Sequence, residues 1–150
     1  MGAIATIDSY LNTIATKVGI QYFRGRDEDM NAVLNAPDVE YPLVWCMPIV
    51  NSGELLDSGR YNKTVQISLV FMDISETNID RTAQTDLSLV IDCEDLADEF
   101  MIRFNEGQIF GFITSIAGSE IPLFNKFSSI ISAYTLSFNL NMALCLCYDD

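Results

Sequence analysis

Ile130-Ile131-Ser132-Ala133-Tyr134-Thr135-Leu136-Ser137-Phe138-Asn139-Leu140-Asn141-Met142-Ala143-Leu144-Cys145-Leu146-Cys147 is the stretch on which the fold turns. Eight of its nine even positions are apolar, Ser132 being the exception, and its odd positions are mostly small or polar. Successive side chains point to opposite sides of a strand, so this period of two predicts a long C-terminal β-strand with one face in a core. The alternation also argues against a membrane helix, because Ser132, Thr135, Ser137, Asn139 and Asn141 interrupt the apolar run. A straight strand over this stretch would reach roughly 60 Å at 3.3 Å per residue. A compact domain of this size is about 30 to 40 Å across. The strand must therefore bend at a bulge or project beyond its own domain. The stretch contains no Asp, Glu, Lys or Arg. An uncharged strand face left bare is an aggregation hazard, so it suits contact with another subunit. The candidate interface residues on its odd face are Thr135, Ser137, Asn139 and Asn141.

The preceding segments supply partners for that strand. Gln108–Ile116, with Phe110, Gly111 and Phe112, predicts a strand, and Ala117–Asn125 predicts a loop around Gly118 and Pro122. Asp80–Phe104 carries a broad apolar stripe of Leu87, Val90, Ile91, Leu96, Ala97, Phe100, Met101 and Phe104, which predicts the longest helix, about 37 Å at 1.5 Å per residue. Gly107 stops it. Tyr61–Asp73 alternates, with Val65, Ile67, Leu69 and Phe71 on one side and Asn62, Thr64, Gln66 and Ser68 on the other. Tyr41–Val50, bracketed by Pro42 and Pro48, predicts a second strand that pairs with it as an antiparallel hairpin. The connection Asn51–Gly59 reads as a long, mobile tip, and Ser52, Asp57 and Arg60 on and beside it are further candidate interface residues. Near the N-terminus, Ile4, Ile7, Leu11, Ile14 and Val18 recur at helical steps, and Gly19 ends that helix. Ile20–Phe23 predicts a short strand. Asp27-Glu28-Asp29 then opens a short helix with Met30, Val33 and Leu34 inward, ended by Pro37.

The sum is a single α+β domain over residues 1–150, an antiparallel or mixed sheet with helices packed on one face. The chain has 8 basic and 21 acidic side chains, no histidine and a net charge of -13. Without histidine there is no Ser–His or Cys–His nucleophile pair, and zinc would depend on Cys and carboxylates. The expectation is a protein that is not an enzyme, with no catalytic, cofactor or metal residues. The basic residues are too few and too scattered to neutralise phosphates, which argues against ordinary nucleic-acid binding. Asp92, Glu94, Asp95, Asp98 and Glu99 crowd the long helix and read as a solvated acidic face. Cys46, Cys93, Cys145 and Cys147 come without a secretory signal pattern, so free thiols in a reducing cytoplasm are expected.

The N-terminal helix up to Val18, the proline-marked strand Tyr41-Pro42-Leu43-Val44 followed by Thr64–Asp73, the long helix Asp80–Phe104 and the closing strand Tyr134-Thr135-Leu136-Ser137-Phe138 together resemble a known family. In element order the chain is similar to the small neck and tail-completion proteins of tailed bacteriophages, above all the tail terminators. It departs from them in the length of its last strand and in its Cys-Leu-Cys-Tyr-Asp-Asp terminus. The resemblance implies a virion structural protein at the head–tail junction or in the tail, made in the host cytoplasm. It implies a homo-oligomeric ring, hexameric or dodecameric, seated against portal, connector or tail proteins. Genomic DNA would pass through the bore without specific binding, and no membrane is involved. An acidic bore would repel phosphates and let DNA slide. Two other readings stand beside it. One is an acidic cytosolic binding module or DNA-mimic inhibitor of a basic partner. The other is a carboxylate-dependent hydrolase.

Overall fold

A computed structural model of the chain describes residues 3–26, 40–55, 60–74, 83–107, 112–126 and 129–145. Its elements are α1 (Ala3–Val18), β1 (Gln21–Arg24), β2 (Leu43–Cys46), β3 (Val50–Leu55), β4 (Arg60–Ile74), α2 (Ala83–Glu106), β5 (Phe112–Lys126) and β6 (Ser129–Cys145). The fold is α+β. Six strands form one mixed sheet in the order β1-β2-β4-β6-β5, with β3 also paired to β4. The β1–β2 pair is parallel and the others are antiparallel. The short helix expected after Asp27 lies outside the described residues.

The two helices cover one face of the sheet. Val65, Ile67, Leu69 and Phe71 of β4 point to that side with Val44 and Cys46 of β2 and Leu136, Phe138 and Leu140 of β6. Against them pack Ile7, Leu11, Ile14 and Ala15 of α1 and Cys93, Ala97, Phe100 and Phe104 of α2. The α2 stripe recurs at steps of four, three and four, as a helix facing a sheet requires. Ile91, expected inward, is instead 46% exposed, and Cys93 takes the inward place. Aromatic rings bind the layers edge to face: Tyr10 to Phe104, Phe104 to Phe138 and Phe71 to Phe100 have centroids 5.2, 5.1 and 5.5 Å apart.

Helix ends are closed by identifiable groups. Gly19 stands at φ +89 just past α1, and its N–H donates to the Ala15 carbonyl at 2.9 Å. A left-handed residue at that position satisfies carbonyls that the helix itself cannot. At the end of α2 the Tyr10 hydroxyl donates to the Phe104 carbonyl at 3.2 Å. A Cβ on Gly107 would collide with that Tyr10 ring, so the glycine lets α1 cap α2. Asp8 of α1 accepts a 2.6 Å hydrogen bond from the Tyr22 hydroxyl and lies 3.7 Å from the Arg24 guanidinium, which ties the helix to β1.

Strands run through two stretches expected as loops, in the first as far as Leu55. Tyr41–Val50 does not run as one strand: β2 stops at Cys46, and β3 takes up the ladder from Val50. Pro48 lies in the gap, where its missing N–H removes no ladder bond. The run Val50–Leu55, of which Asn51–Leu55 was expected as part of a loop, pairs with Gln66–Tyr61 of β4. Its Asn, Ser and Gly suit a turn, but the free edge of β4 needs partners for its backbone groups, and that demand prevails. Likewise β5 runs through the stretch expected as a loop, Ala117–Asn125. Its pairing with β6 is irregular between Ile121 and Phe124, so Pro122 falls where regular pairing lapses. A second irregularity lies between Ile113 and Ser115. Such bulges bend the sheet.

Candidate functional site

The face of the sheet opposite the helices is built in rows across the strands. Leu43, Met72 and Ala133 stand opposite one another, then Trp45, Val70 and Thr135. This end is apolar, with Leu43, Trp45, Val70, Met72 and Ala133 buried and Phe23, Tyr41 and Met47 packed against them. The Trp45 indole N–H donates to the Gly25 carbonyl at 3.0 Å.

The next rows change character. Ser68 stands opposite Ser137, which stands opposite Ala117. Val50, Gln66, Asn139 and Ser115 form the following row, and Ser52, Thr64, Asn141 and Phe112 the one after. From Thr135 to Asn141 none of these rows holds a charged residue. Neighbouring strands are laced by side-chain hydrogen bonds. The Ser68 and Ser137 hydroxyls lie 3.0 Å apart, and the Thr64 hydroxyl donates to the Asn141 amide oxygen at 2.9 Å. Cross-strand pairs of this kind stabilise the pairing of neighbouring strands. Thr135, Ser137, Asn139 and Asn141 are half-buried, whereas Ser52, Gln66, Ser115 and Ala117 are exposed.

The structure thus brings Thr135, Ser137, Asn139, Asn141 and Ser52 onto one surface. Ser52 arrives there on a strand and not on a mobile loop. Asp57 lies outside the described residues. Arg60 opens β4 with its backbone opposite Cys145, beyond the last of the uncharged rows. Sequence reasoning missed Gln66, Ser68, Ser115 and Ala117 as parts of this surface. The alternation of β4 could have supplied Gln66 and Ser68, whereas Ser115 and Ala117 needed the register of β5.

Acidic groups collect on the other side of the molecule. Asp92, Glu94, Asp95, Asp98 and Glu99 of α2 are all exposed, and Glu99 pairs with Arg103 at 3.2 Å. A shallow depression of about 290 Å³ between the end of α1 and Pro42 is lined by Thr16, Gly19, Ile20, Gln21, Glu40 and Tyr41, and Glu40 is its one charged side chain among the described residues. Among the described residues no three His, Cys, Asp or Glu side chains converge as a metal site would require. No described helix is long and apolar enough to cross a membrane.

Cys46 and Cys93 are buried thiols without disulfides. Burial first, then the nearby carboxylates Asp73 and Asp92, push the Cys93 thiol up to about 12. An unfolded chain ionises this thiol near 9 and the folded chain holds its proton, so stability is full below about pH 9 and falls as pH rises toward 12. Urea midpoints recorded across that window are expected to decline, and Cys93→Ala is expected to give a shallower slope. An unchanged slope would mean that Cys93 is not the titrating group.

No protein-family model matches the chain, and no curated protein matches it.

Proposed function

We propose that this chain is a virion structural protein of a tailed bacteriophage, a subunit of a ring at the head–tail neck or tail terminus through which DNA passes. The observation that carries the reading is the sidedness of the subunit. A chain of net charge -13 leaves one whole band of its sheet uncharged and displays exposed acids on the outer side of α2. Two such subunits can meet across the uncharged band without stripping water from charges, which is the costly step in burying a polar surface. Serine, threonine and asparagine side chains each offer donors and acceptors to a neighbour. When one patch of a subunit binds a different patch on the next, a closed rotation makes a ring. The acids on the far side would then line the bore or face solvent, where they repel DNA and do not retain it. No step of this role needs catalysis, a cofactor or a metal.

Native mass spectrometry and negative-stain microscopy of the purified chain test the idea. A discrete ring is expected, alone or beside its neighbouring tail proteins. Introducing two carboxylates with Thr135→Asp and Asn139→Asp is expected to disperse it, while far-ultraviolet circular dichroism stays as in the parent. A chain that remains monomeric at high concentration and beside those neighbours overturns the reading.

The exposed carboxylates of α2 favour one second reading, an acidic module that binds a basic protein. It requires that neutralising Asp92, Glu94, Asp95 and Asp98 abolish capture of a basic partner.

A further inference from the structure

β5 is the last strand of the sheet, so its outer edge has no partner among the described residues. The two irregularities bound a regular run, Ser115–Ile121, paired without a break to Asn139–Ala133. Seven consecutive residues, Thr114–Glu120, are exposed, and Ile116 is 57% exposed. Sheet proteins usually blunt such an edge with charge, proline or bulges. Here Pro122 and both bulges lie outside the straight run, and Glu120 is its one charge. The other open edges are shorter, four residues in β1 and six in β3.

We propose that β5 is a self-association edge, pairing antiparallel with β5 of a second copy about a two-fold axis at Ala117. In that register Ala117 faces Ala117 of the partner subunit. On the open side of the sheet Ser115 faces Ser119 of the partner subunit, so small uncharged groups meet. On the helix side Ile116 faces Gly118 of the partner subunit. Gly118 is where Tyr134 crosses β5, since a Cβ there would collide with the Tyr134 hydroxyl and ring. The exposed Ile116 side chain therefore meets the Tyr134 ring of the partner subunit, which covers the glycine as aromatic side chains cover edge glycines elsewhere. Glu120 faces Thr114 of the partner subunit, so no like charges oppose one another. Within the strand pair itself Glu120 is the one charge. Glu94 and Asp98 of α2 lie near Tyr134 on the helix side, so two chains of charge -13 are expected to join more tightly as salt screens these acids. A two-fold contact closes at two subunits, so it is separate from a head-to-tail ring contact.

The test is a charge exchange at the axis in the full-length chain. Ala117→Lys and Ala117→Glu each place like charges directly opposite one another, which destabilises a strand pair. By sedimentation velocity the parent chain is expected to dimerise. Each variant alone is expected to bind itself at least about tenfold more weakly. An equimolar mixture of the two is expected to regain dimers, since lysine then faces glutamate. In a head-to-tail ring position 117 does not face itself, so a ring contact gives no such rescue. Circular dichroism checks that both variants are folded, as expected for an exposed position. Independently, Ala117→Cys is expected to form a disulfide joining position 117 of two chains on mild oxidation, identified by peptide mass spectrometry against the parent chain. A monomeric parent, variants that associate like the parent, a mixture without rescue, or no 117–117 disulfide would each overturn the proposal. Rings that persist without rescue would overturn this contact and leave the ring reading standing.

Discussion

Phe100→Ala is expected to lower unfolding stability by roughly 3–5 kcal/mol, the range for removing a buried aromatic ring. Phe100 is fully buried on α2 and meets Phe71 of β4 edge to face at 5.5 Å. It lies where the helix layer meets the sheet, among Leu69, Ala97 and Leu136 in the same core cluster. The substitution removes apolar area and leaves a cavity that the helix cannot close, because Phe104 packs on Phe138 and Tyr10 and fixes the spacing of α2 from the sheet. For a chain of this length the melting temperature should fall by about 10 °C. Urea denaturation followed by circular dichroism reads the loss. A change under about 1 kcal/mol would show that α2 does not seal the core there.

Trp45→Ala is expected to cost a similar amount, roughly 3–5 kcal/mol, but on the other face of the sheet. Trp45 is fully buried, stacks on Phe23 with centroids 6.1 Å apart, and donates its indole N–H to the Gly25 carbonyl. Trp45→Phe separates the two contributions. It keeps most of the apolar contact and loses the hydrogen bond, about 1 kcal/mol. As the only tryptophan, Trp45 also reports on itself. Its emission should be blue-shifted and poorly quenched by acrylamide in the folded chain. Red-shifted, readily quenched emission would place the ring in water and contradict the burial. Together the two substitutions ask whether the chain has two separately sealed apolar clusters, one under the helices and one on the opposite face of the sheet.

Much of this architecture could be read from spacing. The three- and four-residue steps from Ile4 to Val18, closed by Gly19, marked α1 correctly, and the alternation in Tyr61–Asp73 lies within β4. The stripe ending at Phe104 marked the C-terminal end of α2 to within two residues, and its expected start at Asp80 lies outside the described residues. Such signals are legible because each residue's place in them depends on its own near neighbours. The run Val50–Leu55 and the second half of β5 were not legible for the opposite reason. Their serines, asparagines, glycines and proline carry turn propensity, and they are strands only because β4 and β6 offer them edges. That Trp45 joins a cluster on the face away from the helices depends on the same long-range pairing.

The candidate surface divides along the same line. Thr135, Ser137, Asn139 and Asn141 could be grouped from alternation alone, because period two assigns every odd residue of one strand to one side. The excess of acid and its absence from Ile130–Cys147 are likewise properties of the sequence by itself. That these four residues share a surface with Ser52, Gln66, Ser68 and Ala117 was decided by the tertiary structure, through registers linking residues as far apart as Ser52 and Asn141. Which strand forms the outer edge of the sheet among the described residues was decided there too. Strand order depends on long-range backbone pairing, and that pairing competes among all the free edges of the chain at once.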